Sequence, residues 1–241
     1  MSSLANNSET AVYLEWLDAW HERLTPVSLV EDILREAGNP GAVGILLVDL
    51  LVGFCSEGPL SSPRVGRLTP GAAELVRTCL KVGIRTIGHA ADSHSADAAE
   101  FAAFPPHCTT GSPESERAAE LADLEFQGTV TYLPKNCIAI GRSPHFQPWL
   151  DANSEVRHWI VLGDCTDFCV YQAAMHLLTA GYQIDQPRVV WLPANLIDTY
   201  DLPTRTAREL GAFPHPGDFH HRVFLTHLAL NGARVVSEIT P

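Results

Sequence analysis

The sequence has few basic residues. It contains 16 lysines and arginines against 28 aspartates and glutamates, which gives a formal net charge of −12 over 241 residues. The basic residues are scattered, so the chain lacks the positive patch with which proteins bind nucleic acids or anionic membranes. We therefore expect neither partner, and the charge favours a small neutral or cationic ligand.

The sequence also lacks long apolar runs and CxxC motifs. No apolar run approaches the length of a membrane span, and the start, MSSLANNSET, has neither the basic nor the apolar region of a secretion signal. The six cysteines occur in a chain long enough to bury a core without disulfide bonds. We expect a cytoplasmic protein with reduced thiols.

Short apolar segments alternate with helical patterns along most of the chain. Such segments are typical of parallel strands that are buried on both faces and joined by helices, and their functional sites lie beyond the carboxyl ends of the strands. The six predicted strands are GILLVDLL (44–51), IRTIGHA (84–90), TVTYLP (129–134), HWIVLG (158–163), RVVWLP (188–193) and ARVVSE (233–238).

Three of the helices between these strands have recognisable ends. Thr69, as the N-cap, and Pro70 begin a helix that closes on Gly83. The other two helices are expected over about 169–180 and 218–230, each followed by a glycine or an Asn-Gly pair.

Residues 1–40 are predicted to form a helical extension before a single domain, 41–241. TAVYLEWLDAWHERL has apolar residues at helical spacing, and Ser28 with Glu31 forms a capping box for a second helix. The extension either covers the core or supplies a subunit contact. We expect a homo-oligomer.

Polar residues follow four of the predicted strands. Asp49 interrupts the first apolar run, Asp92 and His94 follow the second, Lys135 follows the third, and Cys169 follows the fourth after a short turn. These residues should meet at one edge of a parallel sheet. A carboxylate and a lysine beside apolar runs are costly to bury unpaired, so we expect them to contact each other or another charge.

Asp49, Lys135 and Cys169 together suit acyl transfer. The carboxylate can take the thiol proton, the ammonium favours the thiolate, and the start of a helix adds backbone N–H groups. A single cysteine is more often an inert core residue, but this combination predicts a nucleophile. The cysteines without such neighbours are expected to be inert, namely Cys55, Cys79, Cys108 and Cys137.

Three motifs resemble those of the isochorismatase-like cysteine hydrolases. VLGDCTDFCV is similar to the G-x-x-T-D-x-C-V signature, ILLVDLLVGF to the first-strand aspartate motif and LPKN to the lysine segment. The resemblance covers about residues 43–240. It implies a three-layer α/β/α fold around a six-stranded, mainly parallel sheet, with Asp49, Lys135 and Cys169 as the catalytic triad.

The resemblance also implies a cis peptide bond between Asp164 and Cys165. The backbone amides of Cys165 and Cys169 would form the oxyanion hole. Members that hydrolyse isochorismate lack the cysteine, so this chain is more similar to the amidases of the family.

The segment DSHSADAAEFAAFPPHC contains candidate metal ligands. Asp92 and His94 are two residues apart on an extended segment and can point the same way, and His107 and Glu100 can fold back to join them. Mixed imidazole and carboxylate ligands suit zinc, iron or manganese. The alternative is a solvated loop.

This segment resembles the metal-binding segment of nicotinamidases. The resemblance implies that Asp92, His94 and His107 hold a divalent ion that takes the pyridine nitrogen of nicotinamide. Glu100 is similar to a fourth ligand of some bacterial members, although a plain surface glutamate is an alternative interpretation.

The resemblance further places aromatic walls for a flat ring at Phe54 and Phe104, and Phe168, beside the nucleophile, is a third candidate. Core packing is the alternative for these phenylalanines. The sequence departs from the nicotinamidase pattern at Leu51, where glutamine is common, and at Gly53, which replaces an acidic residue. The identity of the substrate is therefore open.

Taken together, the motifs predict an enzyme that hydrolyses a small-molecule amide. The first hypothesis is a nicotinamidase that releases ammonia from nicotinamide to give nicotinate. The alternatives are a hydrolase of another small amide, of the carbamoyl or maleamate type, and a non-catalytic metal-binding relative.

Overall fold

The computed structural model of the protein describes residues 7–125 and 130–241. Residues 1–6 of the predicted extension and residue 129 of the third predicted strand lie outside these ranges. The strands are β1 (Val27–Ser28), β2 (Val43–Val48), β3 (Thr86–Asp92), β4 (Val130–Lys135), β5 (His158–Asp164), β6 (Val189–Pro193), β7 (Ile197–Asp198), β8 (Arg234–Val236) and β9 (Ile239–Thr240).

Helices connect these strands and flank the sheet. The α-helices are α1 (Ser8–Glu22), α2 (Arg35–Ala37), α3 (Val52–Cys55), α4 (Pro63–Gly66), α5 (Thr69–Lys81), α6 (Ala119–Glu125), α7 (Phe146–Ala152), α8 (Cys169–Gln183), α9 (Thr204–Leu210) and α10 (Gly217–Leu230).

The main sheet has the order β4-β3-β2-β5-β6-β8, and all its pairings are parallel. The short strand β7 adds a seventh member by pairing with the end of β5. The predicted three-layer α/β/α fold is thus confirmed, with one more strand than the six expected. The two central strands, β2 and β5, are buried along their whole length, as their apolar sequences require.

The ends of β2 and β5 approach each other very closely. Gly163, at the end of β5, has φ +121°, and a Cβ placed there would lie 2.0 Å from the carbonyl oxygen of Val48. Only glycine allows both this backbone conformation and this contact. The strand end that leads into the segment before α8 is therefore held directly against the end of β2.

The start of α5 differs by one residue from the prediction. Thr69 is the first helical residue and not the N-cap, a position taken by Leu68 in helical conformation. The Thr69 hydroxyl donates to the carbonyl oxygen of Gly66 at 3.1 Å, because the turn of α4 continues almost directly into α5. Gly83 follows the helix at φ +96°, as its position suggested.

The amino-terminal extension is joined to the carboxyl-terminal part of the chain. Helix α1 packs on α10, and β1 pairs with β9 in parallel. Ser28 Oγ accepts a hydrogen bond from the N–H of Glu31 at 3.1 Å, but the return bond comes from Asp32, whose Oδ2 accepts from Ser28 N–H at 2.7 Å. The reason is that residues 29–34 form a π-helix, whose wider turn moves the return bond from Glu31 to Asp32.

Within the described ranges, no helix has the length and apolar character needed to cross a lipid bilayer.

Candidate active site

The polar residues predicted at the strand ends do meet at one edge of the sheet. Asp49 follows β2 directly, Asp92 and Lys135 are the last residues of β3 and β4, and Cys169 is the first residue of α8. The parallel register pairs Asp92 with Lys135. Four separate segments thus bring two carboxylates, an ammonium and a thiol together.

Lys135 lies at the centre of this group and is buried. Its Nζ is 2.8 Å from Asp49 Oδ2, 2.5 Å from Asp92 Oδ1 and 3.4 Å from Cys169 Sγ. The sequence indicated the contacts with Asp49 and Cys169. The contact with Asp92 is an addition, and it leaves the buried ammonium paired with two carboxylates.

Asp49 has an unusual backbone conformation for a residue with a side chain. Its φ is +50°, its N–H donates to the carbonyl oxygen of Ala90 at 2.9 Å, and its Oδ1 accepts from the N–H of Asp92 at 2.8 Å. These bonds tie the turn after β2 to β3. The carboxylate is therefore fixed in position before any substrate binds.

The protonation of the group follows from burial and charge. Burial, together with the charge of Asp92, raises the pKa of Asp49 to about 6 although Lys135 opposes the rise. Burial would lower the pKa of Lys135, but the two carboxylates raise it well above its ordinary value. Burial raises the pKa of Cys169, and Lys135 opposes that rise. At neutral pH the resting site therefore holds an ammonium, carboxylates and a neutral thiol.

The segment before Cys169 has the implied cis peptide bond between Asp164 and Cys165. The carbonyl oxygen of Cys165 accepts hydrogen bonds from the N–H groups of Phe168 and Val170, both at 3.1 Å. Cys169 opens α8, and a residue at that position has no acceptor for its N–H within the helix. The role of the Cys165 and Cys169 amides as an oxyanion hole stays a prediction.

Asp92, His94 and His107 form a second buried group next to Lys135. The Nε2 atoms of His94 and His107 lie 3.5 and 3.6 Å from the two carboxylate oxygens of Asp92. The His94 Nδ1 faces Asn136 Oδ1 at 3.3 Å, and the His107 Nδ1 donates to the carbonyl oxygen of Pro105 at 2.8 Å. Each ring is oriented through Nδ1, as in metal sites, which leaves both Nε2 atoms directed at the carboxylate.

The donor atoms of this group fit a divalent metal ion. The His94 Nε2 is buried and has no hydrogen-bond partner among the residues that the structure describes, and the imidazole planes of His94 and His107 are inclined by 66°. In-plane lone pairs of two inclined rings can converge on one point. One carboxylate and two imidazoles then suit zinc, iron or manganese with positions left for water or substrate.

Among the described residues, the donor atoms that cluster around this site belong to Asp92, His94 and His107, and Glu100, the fourth predicted ligand, is outside that cluster. Its Oε2 instead accepts a hydrogen bond from the N–H of Ile138 at 3.1 Å. A ligand role for Glu100 stays a prediction.

Two of the three predicted phenylalanines, Phe54 and Phe104, contact the imidazole of His107, and the third packs on Phe104. The Phe54 and Phe104 rings lie 5.5 and 6.4 Å from the ring of His107, and Phe168 packs edge to face on Phe104 at 5.8 Å. Phe101 was not predicted, yet its ring is 5.3 Å from that of His94 and 5.7 Å from that of His107. The sequence AEFAAF contained the signal, because Phe101 precedes Phe104 by one helical turn.

A family model of the isochorismatase domain matches residues 43–190. The chain belongs to the isochorismatase family. This range covers the three motifs and all residues of the group around Lys135. The family assignment makes the chain an isochorismatase-like hydrolase, and it confirms the resemblance found in the sequence.

The proteins to which this chain is similar differ in the substrates that their names give. Nicotinamidase 1 of Arabidopsis thaliana is 30% identical over 215 residues, covering 83% of this chain and 87% of that protein. An N-carbamoylsarcosine amidase from Thermoplasma acidophilum is 19% identical with a TM-score of 0.58, covering 80% of this chain and 95% of its own. The pyrazinamidase of Pyrococcus horikoshii, in complex with zinc, is 16% identical with a TM-score of 0.61, and the match covers 81% of this chain and 98% of that one. The two structural likenesses establish the fold of this isochorismatase-like hydrolase.

Proposed function

We propose that the protein is an amidohydrolase that deaminates nicotinamide to nicotinate and ammonia, with Cys169 as the nucleophile. The observation that carries this proposal is the position of Lys135, which contacts Asp49 and Cys169 within one buried group. A lysine held in this way orients the carboxylate toward the thiol and stabilises negative charge on sulfur.

Proton transfer from Cys169 to Asp49 begins the proposed reaction. The thiol is neutral at rest, because burial raises its pKa, whereas the pKa of Asp49, about 6, leaves that carboxylate ionised at neutral pH. Asp49 takes the thiol proton as sulfur attacks the amide carbon. The same proton then goes to the nitrogen that leaves as ammonia, and a thioester remains on Cys169.

Hydrolysis of the thioester uses the same carboxylate. Asp49, ionised again after ammonia leaves, takes a proton from the attacking water and returns it to the sulfur of Cys169 as the acid departs. The backbone N–H groups of Cys165 and Cys169 are proposed to hold the oxyanion in both steps, because the turn before α8 brings these two residues together.

Asp92, His94 and His107 are proposed to hold a divalent ion. When bound, the ion supplies a Lewis acid that can take the ring nitrogen of a pyridine amide. The chain's own contribution is the orientation of both imidazoles by Asn136 and Pro105, together with the phenylalanines that leave an apolar setting for a flat ring.

The relationship to Nicotinamidase 1 supports a pyridine amide as the substrate. The two positions at which the sequence departs from the nicotinamidase pattern, Leu51 and Gly53, also affect which groups can contact the substrate. Leu51 is fully buried. A Cβ at Gly53 would lie 2.6 Å from Cys108 Sγ and 3.0 Å from Glu114, so this position has no room for an acidic side chain. We propose that the substrate contacts come from other groups, namely Phe54, Phe101, Phe104 and Phe168.

An amide panel tests the proposal. Ammonia release should be fastest with nicotinamide, slower with benzamide, and low with small carbamoyl amides. Cys169→Ala, prepared in parallel, should release no ammonia. A wild-type protein that prefers a carbamoyl amide would reassign the substrate but keep the triad, whereas no release from any amide would contradict the enzyme assignment.

The cytoplasmic location and the homo-oligomeric state also remain our proposals. Helix α1 of the extension exposes the side chains of Tyr13 and Trp16, which supports a subunit contact at this helix. Sedimentation of the full chain and of Trp16→Glu would test it, since a contact through α1 predicts a smaller species for the variant.

A further inference from the structure

A third cluster of titratable side chains lies beside the nucleophile and has no part in the reaction proposed above. Asp167, two residues before Cys169, has its Oδ2 at 2.7 Å from His215 Nε2 and 3.8 Å from His220 Nδ1. Asp167 and His215 are buried, whereas His220 is partly exposed. One carboxylate and two imidazoles are again a donor set that could suit a metal.

The ring geometry argues against a metal at this cluster. The His215 and His220 rings are parallel within 4° and stacked with their centroids 4.2 Å apart. Imidazole lone pairs lie in the ring plane, so an ion about 2.1 Å from both nitrogens would sit far out of both planes. His94 and His107, with planes inclined by 66°, do not have this problem.

The two hydrogen-bond partners of His215 are instead both acceptors. Its Nδ1 is 2.9 Å from the carbonyl oxygen of Tyr200, which can only accept, and its Nε2 is 2.7 Å from Asp167 Oδ2. Burial opposes ionisation of Asp167, but the hydrogen bonds from His215 and from Thr199 Oγ1, the latter at 2.7 Å, lower its pKa. Both nitrogens of His215 thus face acceptors, so the setting has room for a hydrogen-bond donor at each ring nitrogen.

Aromatic rings pack against the faces of the His215 ring. The Tyr200 ring stacks on His215 at 3.9 Å with 12° between the planes, and His220 stacks on it at 4.2 Å. Phe168, the residue directly before Cys169, lies 5.9 Å away at 23°. A cation between π faces is stabilised by their quadrupoles, and the arrangement leaves His215 little freedom to rotate.

We propose that His215, as an imidazolium ion, is a positioning residue that fixes the segment 165–169 through Asp167. The inference rests on the proposed amidase function, because this segment carries both backbone N–H groups assigned to the oxyanion hole. Asp167 is held by Thr199 and His215, and its neighbour Thr166 is held by a 2.8 Å bond to His221 of α10. The His215 link is the charged member of this set.

The expected defect is specific to oxyanion stabilisation. Loss of one oxyanion donor typically costs about 10²–10³ in kcat, so a donor that is only loosened should cost at least about tenfold. Alkylation of Cys169 by iodoacetamide needs the thiolate but forms no oxyanion. The Asp49 and Lys135 contacts that govern the thiolate do not involve His215.

The test compares kcat for nicotinamide with the rate of Cys169 alkylation in His215→Gln, with His227→Gln on α10 as the matched control. We expect kcat to fall at least about tenfold in His215→Gln while alkylation stays within about twofold of wild type. Asp167→Asn should show the same pattern, and the double variant should be no worse than either single variant. His227→Gln should match wild type in both measurements.

Chemical rescue covers the case in which His215→Gln is poorly folded. His215→Ala leaves a slot between Tyr200 and His220, so added imidazole, which has two N–H groups as a cation, should restore activity. 1-Methylimidazole, with one N–H, should not. Unchanged kcat in His215→Gln, an equal fall of kcat and alkylation, or equal rescue by both compounds would overturn the inference. An inactive wild-type protein would instead refute the proposed function.

Discussion

The Nζ of Lys135 and the Oδ1 of Asp92 are 2.5 Å apart, so one ion pair joins the proposed triad to the proposed metal group. Asp92 also faces His94 and His107, and its pKa is lowered, against the effect of burial, by the charge of Lys135 and by the two neighbouring imidazoles. The two groups therefore share a carboxylate. A change in the charge of either group must alter the electrostatics of the other.

Cys169→Ala should abolish amide hydrolysis while the protein stays folded, because no other group can supply the thiolate at this position. Cys165→Ala is the matched control and should retain substantial activity, since Cys165 is proposed to act only through its backbone. Ammonia release and the thermal midpoint of both variants check this. Near-normal turnover by Cys169→Ala would contradict the covalent mechanism.

Lys135→Met should slow the alkylation of Cys169 by iodoacetamide at pH 7, because the ammonium 3.4 Å from the sulfur favours the thiolate. The matched control is Lys81→Met, whose side chain is exposed at the end of α5. Its alkylation rate should equal that of wild type. Equal rates in all three proteins would remove Lys135 from this role.

Activity should fall with decreasing pH as Asp49 becomes protonated. The pKa of Asp49 is raised to about 6, and the proton acceptor is its ionised form, so kcat/KM should be lost as the pH drops through about 6. Lys135 lowers this pKa, and any residual activity of Lys135→Met should therefore show its acid limb at higher pH. Asp151 is exposed, so Asp151→Asn serves as the control and should have the same acid limb as wild type. An acid limb near pH 4 in wild type would contradict the raised pKa of Asp49.

Chelation, or His107→Ala, should reduce the ratio of nicotinamide to benzamide turnover toward one. A bond from a divalent ion to the ring nitrogen orients nicotinamide, and orientation can contribute several kcal/mol to the barrier, whereas benzamide has no such bond to lose. His145→Ala, at an exposed position, should leave the ratio and the metal content unchanged. A protein free of metal that still strongly prefers nicotinamide would contradict the metal role.

Gly163→Ala should destabilise the fold more than Gly111→Ala. Both glycines have positive φ, +121° and +78°, which costs a residue with Cβ about 1–2 kcal/mol. At Gly111 no atom of the described residues lies within 4 Å of the new Cβ, whereas at Gly163 the Cβ meets the carbonyl oxygen of Val48 at 2.0 Å. Urea unfolding should therefore show a larger loss for Gly163→Ala, at least about 3 kcal/mol. Equal losses would mean that the strand ends separate without cost.

The sequence by itself determined the parallel sheet and the group at its edge. Buried strands need continuous apolar runs, and the carboxyl ends of parallel strands meet at one edge, so Asp49, Asp92, Lys135 and Cys169 could be brought together from spacing alone. The motifs of the family added the cis peptide bond after Asp164, which is present. These features depend on local sequence patterns, which can be recognised without the tertiary structure.

Only the tertiary structure decided which side chains touch across loops. The bond of Lys135 to Asp92, the packing of Phe101 on His94 and the close contact of Gly53 with Cys108 depend on how the segments after β2 and β3 fold back. The pairing of Asp167 with His215 joins residues 48 positions apart in sequence. No periodicity in the sequence indicates such contacts, because they result from the packing of irregular segments against the sheet.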